Sequence, residues 1–273
     1  MDNEDQGRDP AAEFTERYGY GNQGTTTTHE RNEGSDGNQD RQRADGGSDK
    51  LENQADDGGV EPSSTDQSQD LHPNLKIPYD ERVDVDFTKG ESALIIGTRG
   101  QGKTHWIKHY IKKQDMRVMV FTPHPYEWEE MRKKGNALVP DVEETPDGLN
   151  EFMRLARDLA QEGIIDMVVV DEAYKVAYSN KVLGSDTMDV NGSCRHYGLT
   201  VAWVSHQPQH IAQIIYGDAT YIVAFRIRSD NAQRKLNKID KPLGDYAAAL
   251  QYKGYEYAIS TLQVAEPKLQ RKL

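Results

Sequence analysis

Residues 92–104 read SALIIGTRGQGKT, an apolar run that leads directly into a glycine-rich loop closed by Lys103 and Thr104. The spacing Gly97-x-x-x-x-Gly102-Lys103-Thr104 is the P-loop pattern, and each position has a physical task in holding a nucleotide triphosphate. Gly97, Gly100 and Gly102, with Thr98, Arg99 and Gln101 between them, allow successive backbone N–H groups to turn inward toward phosphate oxygens. Lys103 adds a point charge, and Thr104 places a hydroxyl where a magnesium ion (Mg2+) shared with the phosphates of ATP would sit. A helix starting at this point aims its positive dipole end at the same anion. Context supports the reading. Ser92 to Ile96 reads as a short buried strand, and His105 to Lys112 carries Trp106, Ile107, Tyr110 and Ile111 at helical spacing.

Downstream, Ile164-Ile-Asp-Met-Val-Val-Val-Asp171-Glu172 is an apolar strand ending in two carboxylates. Asp171 falls at the carboxyl end of that strand, where open α/β sheets place their ligands, and is a candidate to hold the magnesium through water. Glu172 is the candidate base that orients and deprotonates a water for in-line attack on the γ-phosphate.

Further strand-like runs lie at Arg117 to Phe121, Thr200 to Ser205, Ala219 to Phe225 and Tyr255 to Thr261. A helix is expected from Thr145-Pro146-Asp147, where a capping residue precedes a first-turn proline and Leu149, Phe152, Met153, Ala156 and Leu159 share one face. A second is expected after Pro208 and a third over Asp230 to Lys238. Tyr197, Trp203, Tyr221 and Phe225 read as core residues in strand-like runs. Alternating strands and helices behind a P-loop imply an α/β fold with a mainly parallel sheet covered by helices on both faces. About 67 residues and another strand separate the P-loop from Asp171. That insertion matches the additional-strand, RecA-like class of P-loop NTPases, in which the strand after the Asp-Glu strand inserts beside the P-loop strand and ends in a polar sensor.

Four local features together resemble the FtsK/HerA type of DNA-pumping ATPases, and within it the genome-packaging ATPases of membrane-containing viruses. They are the P-loop, Asp171-Glu172, Arg195-His-Tyr-Gly198 before a strand, and Ser205-His-Gln-Pro208 after it. The resemblance implies an ATP hydrolase that translocates double-stranded DNA as a homo-oligomeric ring, a pentamer or hexamer, docked at a capsid vertex. It implies the host cytoplasm or the virion as location. Family members carry a glutamine sensor, and the register places His206 at that position with Gln207 beside it, so both are candidates. The resemblance also offers Arg195 as a finger reaching a neighbour's γ-phosphate, with Arg226 and Arg228 as competitors. Two other readings are a nucleotide-binding virion or assembly protein similar to the zonula-occludens-type phage proteins, and a HerA-like cellular DNA-processing ATPase.

Composition divides the 273 residues in two. Six of the 33 basic and 18 of the 45 acidic residues lie in 1–75, which leaves 27 of each in 76–273, so the net charge of −12 belongs to the leader. Rich in Gly, Ser, Asn, Gln and Asp and without Ile or Trp, the 1–75 leader is expected to be disordered, with one P-loop domain over 76–273. Cys194 is the only cysteine, which excludes an internal disulfide and a multi-cysteine zinc site. No run of 18 apolar residues is present, so no membrane span is expected. Basic groups at Lys112-Lys113, Arg132-Lys133-Lys134, Arg234-Lys235 and Lys268 to Lys272 read as solvated faces, from which a ring could still assemble many weak contacts to DNA phosphates.

Overall fold

Strand β1 (Ser92–Ile96) consists of five residues that are all buried, as its unbroken apolar pattern requires of a strand covered on both faces. The computed structural model that contains it describes residues 90–261 and the backbone of 268–270. The expected acidic leader over 1–75, and residues 76–89 of the expected ATPase domain, lie outside the described residues.

After β1 come α1 (Lys103–Lys113), β2 (Val118–Phe121), α2 (Glu129–Lys133), β3 (Ala137–Leu138), α3 (Pro146–Gln161) and β4 (Met167–Val170). The chain continues through α4 (Ser185–Ser193), β5 (Thr200–Ser205), α5 (Gln213–Asp218), β6 (Tyr221–Ala224), α6 (Asp230–Ile239), α7 (Leu243–Ala249), β7 (Tyr257–Thr261) and β8 (Lys268–Gln270). The strands form one sheet in the order β3-β2-β4-β5-β1-β6-β7-β8. From β3 to β6 every pairing is parallel, whereas β6–β7 and β7–β8 are antiparallel. Strand β5 lies between β4 and β1, with Val170 opposite Trp203 and Ile96 opposite Ser205. This is the additional-strand arrangement expected from the sequence, and it brings the ends of the P-loop strand, the carboxylate strand and the sensor strand together.

Alternation along β1 divides the interior into two layers. Leu94 and Ile96 face a core with Phe152, Trp203, Ile215 and Leu236 on one side, and Ala93 and Ile95 face Ile107, Ile111, Trp128 and Tyr221 on the other. Helix α3 begins as its sequence predicts. Thr145 Oγ1 accepts the Gly148 N–H at 3.0 Å, and Leu149, Phe152, Met153, Ala156 and Leu159 are buried.

Two expectations gain detail. The helix expected after Pro208 is α5, which starts at Gln213 after a 3-10 turn over Pro208–His210 and an extended Ile211 that bridges Tyr178. Trp203, Tyr221 and Phe225 are core residues, and Tyr197 packs against the core from outside any strand. It sits half-buried in the 3-10 turn Cys194–Tyr197 and donates its hydroxyl to Asp189 at 2.8 Å.

Candidate active site

The P-loop is held by the strand ends around it. Gly97 N donates to the Ser205 carbonyl at 3.2 Å, and Thr98 donates from both N and Oγ1 to the Arg226 carbonyl, at 2.7 and 2.6 Å. Gly97 has φ 147°, and a Cβ there would stand 2.6 Å from the Phe225 Cβ, so only glycine lets the loop leave β1 beside β6. Gly102 caps α1 at φ 89°, and its carbonyl accepts the Trp106 N–H at 2.8 Å. Arg99 and Gly100 are exposed at the loop's tip, whereas Gln101 is buried and its Oε1 accepts the Lys253 N–H at 3.2 Å.

Lys103 is the buried cation of the site. Its Nζ donates to the Thr98 carbonyl at 3.2 Å. Burial lowers its pKa to about 8, against the opposing pull of Glu172 and Asp171. A buried ammonium without a hydrogen-bonded carboxylate, standing at the first turn of a helix, is a donor set suited to an anion.

Opposite it, Asp171 follows the last residue of β4 and is 6% exposed. Burial, then the neighbouring Glu172 charge, raises its pKa to about 6, although its Oδ1 accepts the Glu172 N–H at 2.9 Å. The Asp171 carboxylate and Thr104 hydroxyl are hard oxygen donors lining one cavity, a pair suited to a small divalent cation. Glu172 has φ 52°, a left-handed angle uncommon for a residue with a side chain. It aims the carboxylate back across the cavity, where Oε2 lies 2.7 Å from His206 Nδ1 and Oε1 lies 3.9 Å from the Arg99 guanidinium.

His206 meets the candidate base directly. Burial lowers its pKa, with the Glu172 charge acting in the opposite direction. Tyr174 packs edge-on against its ring at 4.4 Å. Gln207 Nε2 lies 3.3 Å from the other ring nitrogen, Nε2, and the Gln207 N–H donates to Ser205 Oγ at 3.1 Å. A neutral ring can accept from Gln207 at Nε2, while Nδ1 stands in close contact with the Glu172 carboxylate. Strand alternation does not separate these neighbours, because β5 ends at Ser205 and Gln207 has already turned to φ −126°, ψ 74°.

The three arginines fall in different places. Arg195 is exposed in the turn before β5, against Gly90, and so lies at the opposite end of that strand from His206. Within one chain it is not brought to the cavity. Arg226 holds Thr98 through its carbonyl, and Arg228 lies over the Tyr252 ring at 5.0 Å. The basic groups read as solvated faces are partly engaged within the chain. Lys112 and Lys134 both pair with Glu130, and Arg132 and Lys133 pair with Glu129. Lys235 donates to the Ile211 carbonyl and lies over Tyr216, and the side chains of 268–272 lie outside the described residues.

The cavity has a volume of about 460 Å³. Of the two sensor candidates His206 lines it and Gln207 does not, and it is also walled by His124, Tyr126 and Glu127, which sequence reasoning missed. No local motif marks them. Their position just past the carboxyl end of β2 follows the rule that ligands bind beyond the strand ends, and Tyr126, 71% exposed, is the visible sign.

The fold and the site together define a P-loop NTPase architecture. No protein-family model matches the sequence, and no curated protein does. Solved structures do. The genome packaging NTPase B204 from Sulfolobus turreted icosahedral virus 2, in complex with ATP-gammaS, superposes with TM-score 0.58 at 17% identity, covering 68% of this chain and 98% of that one. B204, the DNA-packaging ATPase from Sulfolobus turreted icosahedral virus, gives TM-score 0.59 at 17% identity over 68% and 99%. The pCW3 conjugation coupling protein TcpA, with ATPgS, gives 0.50 at 15% identity over 68% and 61%. At these identities the likeness establishes the fold, which is the one the sequence predicts.

Proposed function

We propose that this protein hydrolyses ATP and uses the energy to move double-stranded DNA, as the packaging motor of a viral genome. The observation that carries the reading is the convergence of Lys103, Thr104, Asp171, Glu172 and His206 on one cavity at the ends of three adjacent parallel strands. The backbone of Gly97 to Gly102 and the Lys103 ammonium bind the phosphates. Thr104 and Asp171 are the residues that would hold magnesium, which would supply charge neutralisation to the phosphates. Glu172 accepts the proton of the attacking water, and His206, whose Nδ1 lies 2.7 Å from Glu172 Oε2, packs against the carboxylate and limits its orientation. A nucleotide carrier without hydrolysis has no use for a second carboxylate held at a strained backbone angle.

DNA as the partner is supported by the neighbours, two described as packaging enzymes and one as a conjugation coupling protein. Arg195 lies away from its own chain's cavity, which suits a ring in which each subunit offers the arginine to the next. Assembly at a capsid vertex and action in the host cytoplasm follow from the packaging role. The test is ATP turnover by the full chain with and without double-stranded DNA. DNA-stimulated turnover is expected, and turnover indifferent to DNA would leave an ATPase without the motor.

A further inference from the structure

Helix α6 divides its side chains among three settings. Ala232 and Leu236 are buried in the core layer that holds Trp203 and Ile215. Gln233 and Asn237 turn toward α7, and both donate to Asp245 Oδ1, at 2.8 and 2.7 Å. Lys235 turns to the opposite flank, where its Nζ donates to the Ile211 carbonyl at 2.8 Å and lies 4.5 Å from the centre of the Tyr216 ring. At 3.6 residues per turn, the core side and the two flanks leave one direction free, and Arg234 and Lys238 share it one turn apart. Both are exposed, and the exposed Lys241 extends the face past the helix end at Ile239.

This outward face is cationic because the acids near it are used elsewhere. Asp245 takes the two amides, and Asp240 accepts the Ser260 hydroxyl. Asp230 stands in the first turn, beside the positive end of the helix dipole. Arg234 reaches back to the Asp230 carbonyl and to Asn231 Oδ1, at 3.3 and 3.1 Å, so its guanidinium is oriented without being neutralised. Neither Arg234 nor Lys238 pairs with a carboxylate among the described residues, whereas Arg132, Lys133 and Lys134 at α2 all do.

The same helix is tied to the candidate active site. Ile211, which Lys235 holds, follows His206 by five residues. Between them the Pro208 carbonyl accepts the hydroxyl of Tyr216, the ring on which Lys235 rests. A load on α6 therefore reaches the chain that leaves the sensor strand. We propose that the outward face of α6, with Arg234 and Lys238 at its centre, docks the phosphate backbone of double-stranded DNA. The proposal rests on the motor reading and gives it a contact surface. Exposed cations one turn apart, with Asp230 and Asn231 beside them and no large apolar side chain, suit a polyanion and not a packed protein partner. Phosphate contacts position a duplex without reading its sequence, as a motor that must pass any sequence requires. A ring presents the face once per subunit, so weak contacts add.

The test is an anisotropy titration of the full chain with a mixed-sequence DNA duplex over a series of salt concentrations, with ATP turnover measured alongside. Each phosphate contact contributes about 0.9 to the slope of log affinity against log salt, so the double variant Arg234→Gln, Lys238→Gln should show a slope shallower by about 2 for one engaged subunit. Over the decade from 1 M to 0.1 M salt that is about a hundredfold in affinity. Turnover without DNA should match wild type, which reports an intact fold, while stimulation by DNA falls. If the double variant loses DNA-free turnover, Lys238→Gln alone carries the test with a slope change of about 1. The control Arg132→Gln, Lys133→Gln removes the same charge from cations that Glu129 already pairs, and should bind DNA as wild type does. Equal weakening in both double variants reduces the effect to net charge and overturns the surface. DNA binding unchanged in the α6 variants overturns the surface alone, and a wild type that does not bind DNA overturns the motor reading and the surface with it.

Discussion

Replacing Lys103 by methionine should make the nucleotide-free protein more stable while abolishing its phosphate binding. The lysine is buried, and its pKa falls from 10.5 to about 8. At 1.36 kcal/mol per unit, that shift corresponds to about 3 kcal/mol by which the fold disfavours the charged form. Methionine keeps a similar length without the charge, and loses the bond from Nζ to the Thr98 carbonyl, worth about 1 kcal/mol. The net gain at pH 7 is about 2 kcal/mol, or roughly 4–8 °C in melting temperature for a domain of this size. The sign depends on pH in a defined way. Because the folded pKa lies below the unfolded one, the penalty is fully present below pH 8 and fades as pH rises toward 10.5, so the variant's advantage should shrink by pH 10. Circular dichroism melts of both proteins at pH 7 and pH 10 measure this. A variant no more stable than wild type at pH 7, or an advantage independent of pH, would refute the reasoning that the site stores the cost of a buried cation for use on phosphate.

Glu172→Gln should bind ATP with near-wild-type affinity and lose at least about a hundredfold in turnover, since only the base is removed; equal loss of binding would make Glu172 structural. His206→Ala should lower kcat by about tenfold with little change in KM, and His206→Gln should restore part of it, because an amide can take the same position beside Glu172; a change confined to KM would remove the histidine from the hydrolytic step. Asp171, raised to about 6, must lose its proton to hold a cation, so magnesium-dependent nucleotide binding should weaken as pH falls below about 6. Binding that stays constant from pH 7 to pH 5 would argue against Asp171 as a ligand. Arg195→Ala and Lys103→Ala should each be nearly inactive alone, with loss on the order of a thousandfold, and recover activity when reassembled as mixed rings. Verified mixed rings that stay inactive would turn attention to Arg226 and Arg228.

What could be read from the sequence was whatever chemistry forces into a short contiguous stretch. The phosphate loop and the Asp171-Glu172 strand end are of this kind, and β1 and β5 have the bounds their apolar runs predict. The third helix was placed within one residue of its end at Ile239. Helix α4 was invisible because its buried positions include Thr187 and Asn191, polar residues satisfied from afar. Asn150 Oδ1 accepts the Thr187 N–H, and Asn191 Oδ1 accepts the Trp203 indole N–H at 2.8 Å. No periodic apolar pattern announces a helix buried through hydrogen bonds. The choice between His206 and Gln207 was equally closed to sequence, since it depends on where β5 stops and where Glu172 turns. The wall at Tyr126 comes from a segment 20 or more residues from any motif, joined to the site only by the order of strands.

The reversal of direction at β7 has a mechanical consequence. Because β7 runs antiparallel to β6, with Ala258 opposite Ala224, it begins at the end of the sheet where β6 finishes, beside the phosphate loop. A parallel strand would have begun at the far end and left Tyr255 nowhere near Gly102. The pairing of β7 with β6 thus sets the start of β7 beside the P-loop. One residue of travel is about 3.4 Å, close to the thickness of an aromatic ring, and would also exchange the two faces of the strand. The register of β7 against β6 therefore fixes where Tyr255 meets Gly102.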